Sequence, residues 1–248
     1  MSAYTLSLFL FAAIAFVSAD EAEKLVGAQD AYPGQFPYTV SLRIDNQHIC
    51  GGSIIGPYHI LTAAHCVNAL ISNMYSVTVV SGTTYLDQGG ESHGVVNMWS
   101  HPDYDGETNI NHDIGVIKLA DPISYNSYQS AIPLATARPP TDSNAIISAW
   151  GQISTEGNVS NVLQYLYLNI IGLSQCINYH SLVIQSTVIC TYDNVGIGLC
   201  HGDSGSPLVY NSEVVGVVSR GIPCARGVPD VFTSVPDALS FIREAMTF

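Results

Sequence analysis

A serine that could act as a nucleophile lies between two glycines in the segment CHGDSG at 200–205. A serine hydroxyl is barely ionised at neutral pH, so Ser204 needs a base within hydrogen-bonding reach before it can attack a carbonyl. The glycines suit a tight turn and leave room for a substrate carbonyl to approach the backbone N–H groups. This segment alone is a weak signal, because short matches of this kind also occur by accident.

Two upstream segments contain the residue types that such a serine requires: LTAAHC at 61–66 and NHDI at 111–114. The imidazole of His65, with an ordinary pKa of about 6.5, is largely neutral at neutral pH and can accept the proton. The carboxylate of Asp113 can accept the other ring N–H and fix the tautomer. Taken alone, His65 could be a packed core histidine and Asp113 a strand-edge aspartate. Together with Ser204, the two residues indicate nucleophilic catalysis.

Short strands, rather than long helices, must position these residues. The 248-residue chain is 47% hydrophobic and 11% charged, which is typical of a globular protein with a substantial core. Short apolar runs separated by turn residues predict an all-β barrel or sandwich. The runs interpreted as strands are 38–44, 53–55, 59–62, 76–81, 115–119, 145–150, 162–170, 208–210 and 214–219.

The two ends of the chain have different signals. Residues 1–19 have an apolar centre at 6–17 followed by small residues, which predicts a secretory signal peptide. The apolar stretch is shorter than the ~20 residues that a membrane span needs. At the other end, residues 236–247 predict a helix, with proline and aspartate in the first turn and apolar residues at helical spacing.

Cysteine count and net charge restrict the location and the partners. Six cysteines, an even number, suit disulfides in an oxidising, extracellular compartment, and the sequence alone allows about 15 pairings. A zinc site is the competing interpretation, but no Cys-x-x-Cys or paired His-Cys spacing supports it. The net charge of −13 argues against nucleic acid and against anionic membranes as partners.

The three segments, in the order His, Asp, Ser, resemble the chymotrypsin-like serine proteases, and the likeness extends from Leu25 to the C-terminus. The pattern is most similar to insect and other arthropod chymotrypsins. The resemblance implies two six-stranded antiparallel β-barrels with the active site between them. The N-terminal barrel would occupy about 25–133, the C-terminal barrel about 134–235, and a short helix about 236–247.

The resemblance also implies roles for the residues of the site. Ser204 would be the nucleophile, His65 the general base and Asp113 its orienting partner. The backbone N–H groups of Gly202 and Ser204 would form the oxyanion hole. The other histidines are interpreted as surface or structural residues, with His201 near the nucleophile. The implied disulfides are Cys50–Cys66, Cys176–Cys190 and Cys200–Cys224.

Residues 20–24 have the character of an activation propeptide. Cleavage after Lys24 by a trypsin-like protease would release the α-amino group of Leu25. That group, with an ordinary pKa of about 8, would pair with Asp203 and order the backbone on either side of it. The chain would therefore be made as a zymogen.

The primary specificity pocket is implied at Gly198, Ser219, Gly221 and Asp230. Gly198 at the floor and Gly221 at the wall favour large hydrophobic or aromatic residues before the cleaved bond. Asp230 stands where the family normally has a pocket glycine, so a broad-specificity or collagenolytic protease is the alternative. Arg220 and Ser206 are further departures from the family pattern, and they bear on subsites and rate.

No cofactor motif and no set of metal ligands is apparent in the sequence. The loop 81–93, for example, has only Asp87 and Glu91 as acids, whereas a calcium ion takes six to eight oxygen ligands. The sequence therefore predicts a secreted enzyme that needs no cofactor. We expect a monomeric digestive endopeptidase acting on protein and peptide substrates and open to protein inhibitors. A non-catalytic homologue acting as a binding module is the alternative from another class.

Overall fold

The computed structural model describes residues 28–106, 110–152, 157–180, 185–222 and 224–248. The predicted signal peptide and propeptide, with Lys24 and Leu25, lie outside these residues. The described part of the chain contains thirteen strands and three short α-helices, connected by turns and loops. None of its helices is long and apolar enough to cross a membrane.

Six antiparallel strands close into the first barrel in the order β2-β3-β4-β7-β6-β5, with β5 pairing back to β2. Apolar side chains from these strands fill the interior, because alternate residues of a barrel strand point inward. The register places Leu42 opposite Val79 and Ile60 opposite Ile117. The strands are β2 Thr39–Ile44, β3 Gln47–Gly56, β4 His59–Thr62, β5 Val77–Ser81, β6 Glu91–Ser100 and β7 Gly115–Leu119.

The second barrel closes in the same way, in the order β9-β10-β13-β12-β11-β8, because β8 pairs with β9. A two-residue strand, β1 (Gln29–Asp30), adds to the outer side of β9. The strands are β8 Asn144–Ala149, β9 Gln164–Ile171, β10 Val188–Thr191, β11 Pro207–Tyr210, β12 Glu213–Arg220 and β13 Asp230–Ser234. The predicted all-β fold of two six-stranded barrels is confirmed.

Several elements differ from the strands expected from apolar runs. The strand β6 has an irregular sequence of exposed and buried residues and a register shift between Val95 and Asn97, so its alternation is broken. The strand β13 begins at a buried acid, Asp230. The strand β1 lies within the range expected for the N-terminal barrel, yet it pairs with the second sheet.

Two helices follow strands closely and hold disulfides. The helix α1 (Ala64–Leu70) starts two residues after β4, and its Cys66 is bonded to Cys50 of β3. The helix α2 (Leu173–Ile177) contains Cys176, which is bonded to Cys190 of β10. Each bond therefore ties a helix to an adjacent strand of its own barrel.

The C-terminal helix α3 (Leu239–Ala245), after a 3₁₀ turn at Pro236–Ala238, confirms the predicted helix. Although it follows the second barrel in sequence, it packs into the hydrophobic core of the first. Ile242 is fully buried there, together with Ala245. The last segment of the chain thus joins the two barrels.

We expect Ile242→Ala to lower the free energy of unfolding by about 2–5 kcal/mol, because it removes a fully buried side chain and leaves a cavity. Denaturant unfolding of the Ser204→Ala protein, which cannot digest itself, measures the loss. Arg243→Ala, at the next and exposed position, is the control and should change the midpoint little. An equal effect of the two substitutions would contradict the packing of α3 described here.

Candidate active site

The three residues predicted to be catalytic, His65, Asp113 and Ser204, line one cavity of about 370 Å³ at the junction of the barrels. His65 lies in the first turn of α1, and Asp113 lies two residues before β7, so the first barrel positions both. Ser204 lies in the turn before β11 of the second barrel. The cavity therefore brings together side chains that are far apart in the sequence.

The carboxylate of Asp113 is buried and accepts hydrogen bonds through both oxygens. The ring Nδ1–H of His65 donates to Oδ2 at 2.7 Å, and the backbone N–H of His65 donates to Oδ1 at 2.9 Å. The hydroxyl of Ser219 donates to Oδ2 at 2.7 Å. With Nδ1 protonated, the neutral ring of His65 presents its unprotonated Nε2 as the base.

The turn that contains Ser204 depends on glycine at two positions. Gly205 has φ +80°, and a Cβ there would lie 2.2 Å from Oγ1 of Thr62. Gly202 has φ +92°, which L-residues rarely adopt. Across the barrel junction, the N–H of Gly51 donates to the carbonyl of Ser204 at 2.8 Å, so the turn is held from the first barrel.

Chemically, this arrangement can perform acyl transfer. A half-buried hydroxyl shares a cavity with a histidine whose ring is oriented by a carboxylate. Among the described residues, the N–H groups of Gly202 and Ser204 donate to no other protein group, so both can donate to a substrate oxygen. These are the components of a serine protease site.

The comparisons with known proteins agree with this geometry. The Trypsin family profile matches residues 25–242. The chain belongs to the trypsin family. Similar proteins include chymotrypsin-2 of Vespa crabro, 37% identical over 89% of this chain and 99% of the relative, and trypsin alpha of Drosophila melanogaster, 36% identical over 88% and 86%.

A solved structure of the family has the same fold. Neuropsin, a serine protease expressed in the limbic system of mouse brain, superposes with a TM-score of 0.81 at 27% identity. The match covers 88% of this chain and 98% of that one. As a member of the trypsin family, the protein is a serine endopeptidase.

A histidine that the sequence placed among the surface or structural residues lies directly behind the turn. Nε2–H of His48 donates to the carbonyl of Gly202 at 2.9 Å, and Nδ1 lies 2.9 Å from the hydroxyl of Ser41. Nε of Arg43 donates to that same hydroxyl, so the hydroxyl proton is directed to Nδ1. Burial lowers the pKa of His48 to about 4, which keeps the ring neutral in this relay. No local sequence signal marks this role.

Asp203 is fully buried next to Ser204. Its Oδ1 accepts the N–H of Gly151 at 2.8 Å, and its Oδ2 accepts the N–H of Cys200 at 2.8 Å. Burial raises the pKa of Asp203 to about 7 despite these two bonds. Its expected partner, the α-amino group of Leu25, lies outside the described residues.

The third disulfide joins Cys200 to Cys224, so all three pairs are those that the resemblance implies. Ser206, which replaces a family glycine, is fully buried. A Cβ on Gly51 would lie 2.1 Å from its hydroxyl oxygen, so the space for Ser206 exists because residue 51 is glycine. The serine at 206 therefore depends on the glycine at 51, and its buried hydroxyl has no hydrogen-bond partner among the described residues.

Asp230 lies between the two glycines expected to open the specificity pocket. A Cβ on Gly198 would lie 2.6 Å from its Oδ2, and one on Gly221 would lie 2.9 Å from its Oδ1. Oδ2 also accepts the N–H of Leu199 at 3.1 Å. The space left by the glycines thus contains a carboxylate, and burial raises the pKa of Asp230 to about 7. Arg220, in contrast, is exposed at the cavity wall.

We expect His48→Ala to lower kcat about 10- to 100-fold with a smaller change in KM. Removal of an oxyanion donor itself lowers kcat by about 10²–10³. The expected effect is smaller because His48 acts only indirectly, through the carbonyl of Gly202. His48→Gln, whose amide can donate to the same carbonyl, should recover part of the loss, and His59→Ala is the matched control. A change in KM alone would contradict a positioning role.

Proposed function

We propose that Ser204, His65 and Asp113 hydrolyse peptide bonds by acyl transfer. The observation that carries the proposal is the 2.7 Å bond from Nδ1 of His65 to Asp113, in a cavity that Ser204 also lines. Nε2 of His65 takes the hydroxyl proton while Oγ of Ser204 bonds to the substrate carbonyl carbon. The N–H groups of Gly202 and Ser204 stabilise the resulting oxyanion.

The second half of the reaction returns the enzyme to its starting state. The imidazolium of His65 gives its proton to the leaving amine as the C–N bond breaks, and an acyl-enzyme remains on Ser204. Water then attacks the ester carbon, His65 accepts one water proton, and the acid product leaves as Oγ regains it. Asp113 stays a carboxylate throughout and stabilises the imidazolium.

The chain is proposed to be a secreted digestive protease that is made as a zymogen. The support for secretion is the apolar segment at 6–17, and the support for activation is Lys24 followed by an apolar tetrad. A trypsin-like protease would cleave after Lys24, and the new α-amino group of Leu25 would pair with the buried carboxylate of Asp203. Protein substrates and protein inhibitors are the expected partners.

We expect Lys24→Gln to leave the purified precursor nearly inactive after treatment with trypsin, whereas the parent chain gains activity. Without cleavage, Asp203 lacks its α-amino partner, and removing one partner of a buried ion pair costs about 3–5 kcal/mol. The turn that contains Ser204 would then not be held in its ordered conformation. Peptide hydrolysis and N-terminal sequencing measure the result. Arg243→Gln, on the exposed face of α3, is the control; full activity of uncleaved Lys24→Gln would refute the activation step.

Substrate preference is proposed to follow from Asp230. When the carboxyl of Asp230 is protonated, the pocket has no charge at this position and can hold large hydrophobic and aromatic side chains. This is the chymotrypsin-like preference that Gly198 and Gly221 favour. An ionised carboxylate at the same position attracts lysine and arginine, which favours the broad-specificity alternative. With a pKa of about 7, both states are populated near neutral pH, so we propose a dual preference.

We expect the ratio of kcat/KM for an arginine substrate to that for a phenylalanine substrate to rise as pH increases from about 6 to 8. Asp230 is protonated below its pKa and charged above it, and the ratio cancels the titration of groups common to both reactions. Asp230→Asn, which mimics the neutral acid, should lose arginine cleavage and the pH dependence of the ratio. Asp142→Asn is the exposed control.

A flat ratio in the parent enzyme would show that Asp230 does not face the substrate. If the enzyme still cleaves the phenylalanine substrate in that case, its preference is purely chymotrypsin-like. Covalent labelling of Ser204 by an organophosphate, measured on the same preparation, keeps this outcome separate from failure of the catalytic proposal itself.

A further inference from the structure

A cluster of two histidines and an aspartate lies beside the loop that carries Asp113. The ligand atoms of His101, Asp103 and His112 all lie within 4.8 Å of one another. The sequence predicts no metal site here, because His112 is nine residues or more from the other two and no spacing motif connects them. The fold brings them together.

Backbone contacts fix the two segments of this cluster against each other. The N–H of His101 donates to the carbonyl of Ile114 at 3.0 Å, which joins the end of β6 to the start of β7. The imidazole rings of His101 and His112 stack with centroids 4.5 Å apart. His112 has φ +60°, a conformation that costs energy for a residue with a Cβ.

One ring nitrogen of the cluster carries no proton. The N–H of Asp103 donates to Nδ1 of His101 at 3.2 Å, and a cation that binds at this nitrogen would take the lone pair that now accepts this N–H. Oδ2 of Asp103 lies 4.0 Å from the same nitrogen, and its side chain is 72% exposed. Zinc with bonds of about 2.0–2.1 Å places tetrahedral ligand atoms about 3.4 Å apart, which modest side-chain rotations achieve.

The surroundings suit a partly desolvated ion. The ring of Phe241 from α3 packs against His101 at 4.9 Å and covers one side. Glu244 of the same helix lines the adjoining hollow with His101 and Asp103, and it adds a second carboxylate near the cluster. Two imidazoles with one carboxylate favour zinc-like transition metals, whereas calcium prefers six to eight oxygen ligands.

We propose that His101, Asp103 and His112 bind one zinc-class divalent ion next to the catalytic loop. Three protein ligands leave a fourth position for water. His112 is covalently joined to Asp113, whose carboxylate orients His65, so movement of His112 toward the ion is transmitted to the catalytic pair. Occupancy of the site is therefore expected to slow peptide hydrolysis.

Titration calorimetry with zinc ions on the activated Ser204→Ala protein tests the site without relying on catalysis. We expect one ion per chain. His112→Asn should weaken binding by more than about tenfold, since loss of even an outer-shell partner typically costs 10–100-fold. Asparagine tolerates positive φ, so this substitution preserves the loop. Asp103→Asn, at an exposed position, should act in the same direction.

Zinc can also bind at the active-site histidines, so the control is His201→Asn, which alters an exposed histidine at the catalytic cavity. We expect this variant to keep the affinity of the parent. Absence of binding, or equal affinity in His112→Asn and the parent, would overturn the proposal, as would loss of binding only in His201→Asn. In the Ser204-containing enzyme, zinc inhibition should weaken in parallel with affinity in the His112→Asn and Asp103→Asn variants.

Discussion

The carboxylate of Asp113 is the point on which fold and site depend together. A buried carboxylate is costly unless hydrogen bonds replace its hydration. Two of its donors are on His65 of the first barrel, and the third is the hydroxyl of Ser219 on β12 of the second. The hydroxyl of Thr233 on β13 also donates to the carbonyl of Asp113 at 2.8 Å. Only the docked pair of barrels therefore satisfies this residue.

Sequence reasoning predicted correctly those strands whose apolar runs are unbroken, and it found the segments around the three candidate catalytic residues. The strands β4 and β7 match their apolar runs in full, and the segments around His65, Asp113 and Ser204 are marked by their neighbours. The strand β6 was missed because a register shift destroys its alternation, and β13 because it begins with an acid. Pattern recognition fails where tertiary contacts, rather than periodicity, decide the structure.

The relation between glycines and the larger residues near them could not be predicted either. Gly51 is on β3 and Ser206 lies two residues after Ser204, yet the hydroxyl of Ser206 occupies the space that a Cβ on Gly51 would need. Gly198 and Gly221 are separated in sequence from Asp230, whose carboxylate occupies the space that they leave. From sequence, the two glycines indicated an open apolar pocket. Their effect depends on a third residue whose position only the fold determines.

His48 shows the same limit of sequence reasoning for the turn that contains Ser204. Its residue type and spacing resemble those of any strand histidine, and its role rests on a contact with Gly202 that spans the barrel junction. The relay from Arg43 through Ser41 to this ring is local, but its endpoint is in the other barrel. Long-range contacts of this kind carry no period or motif that a single sequence can show.

Two further buried acids, Asp203 and Asp230, connect the electrostatics of the site to the proposed activation and specificity. Burial raises both pKa values to about 7 from an ordinary 3.8. A folded-state pKa above the unfolded value means that these groups lower the free energy of unfolding as pH rises from about 4 to 7. A cation beside either carboxylate offsets that cost. In the proposed mechanism, the chain's own α-amino group serves Asp203 and a basic substrate side chain serves Asp230, so one physical cause underlies both steps.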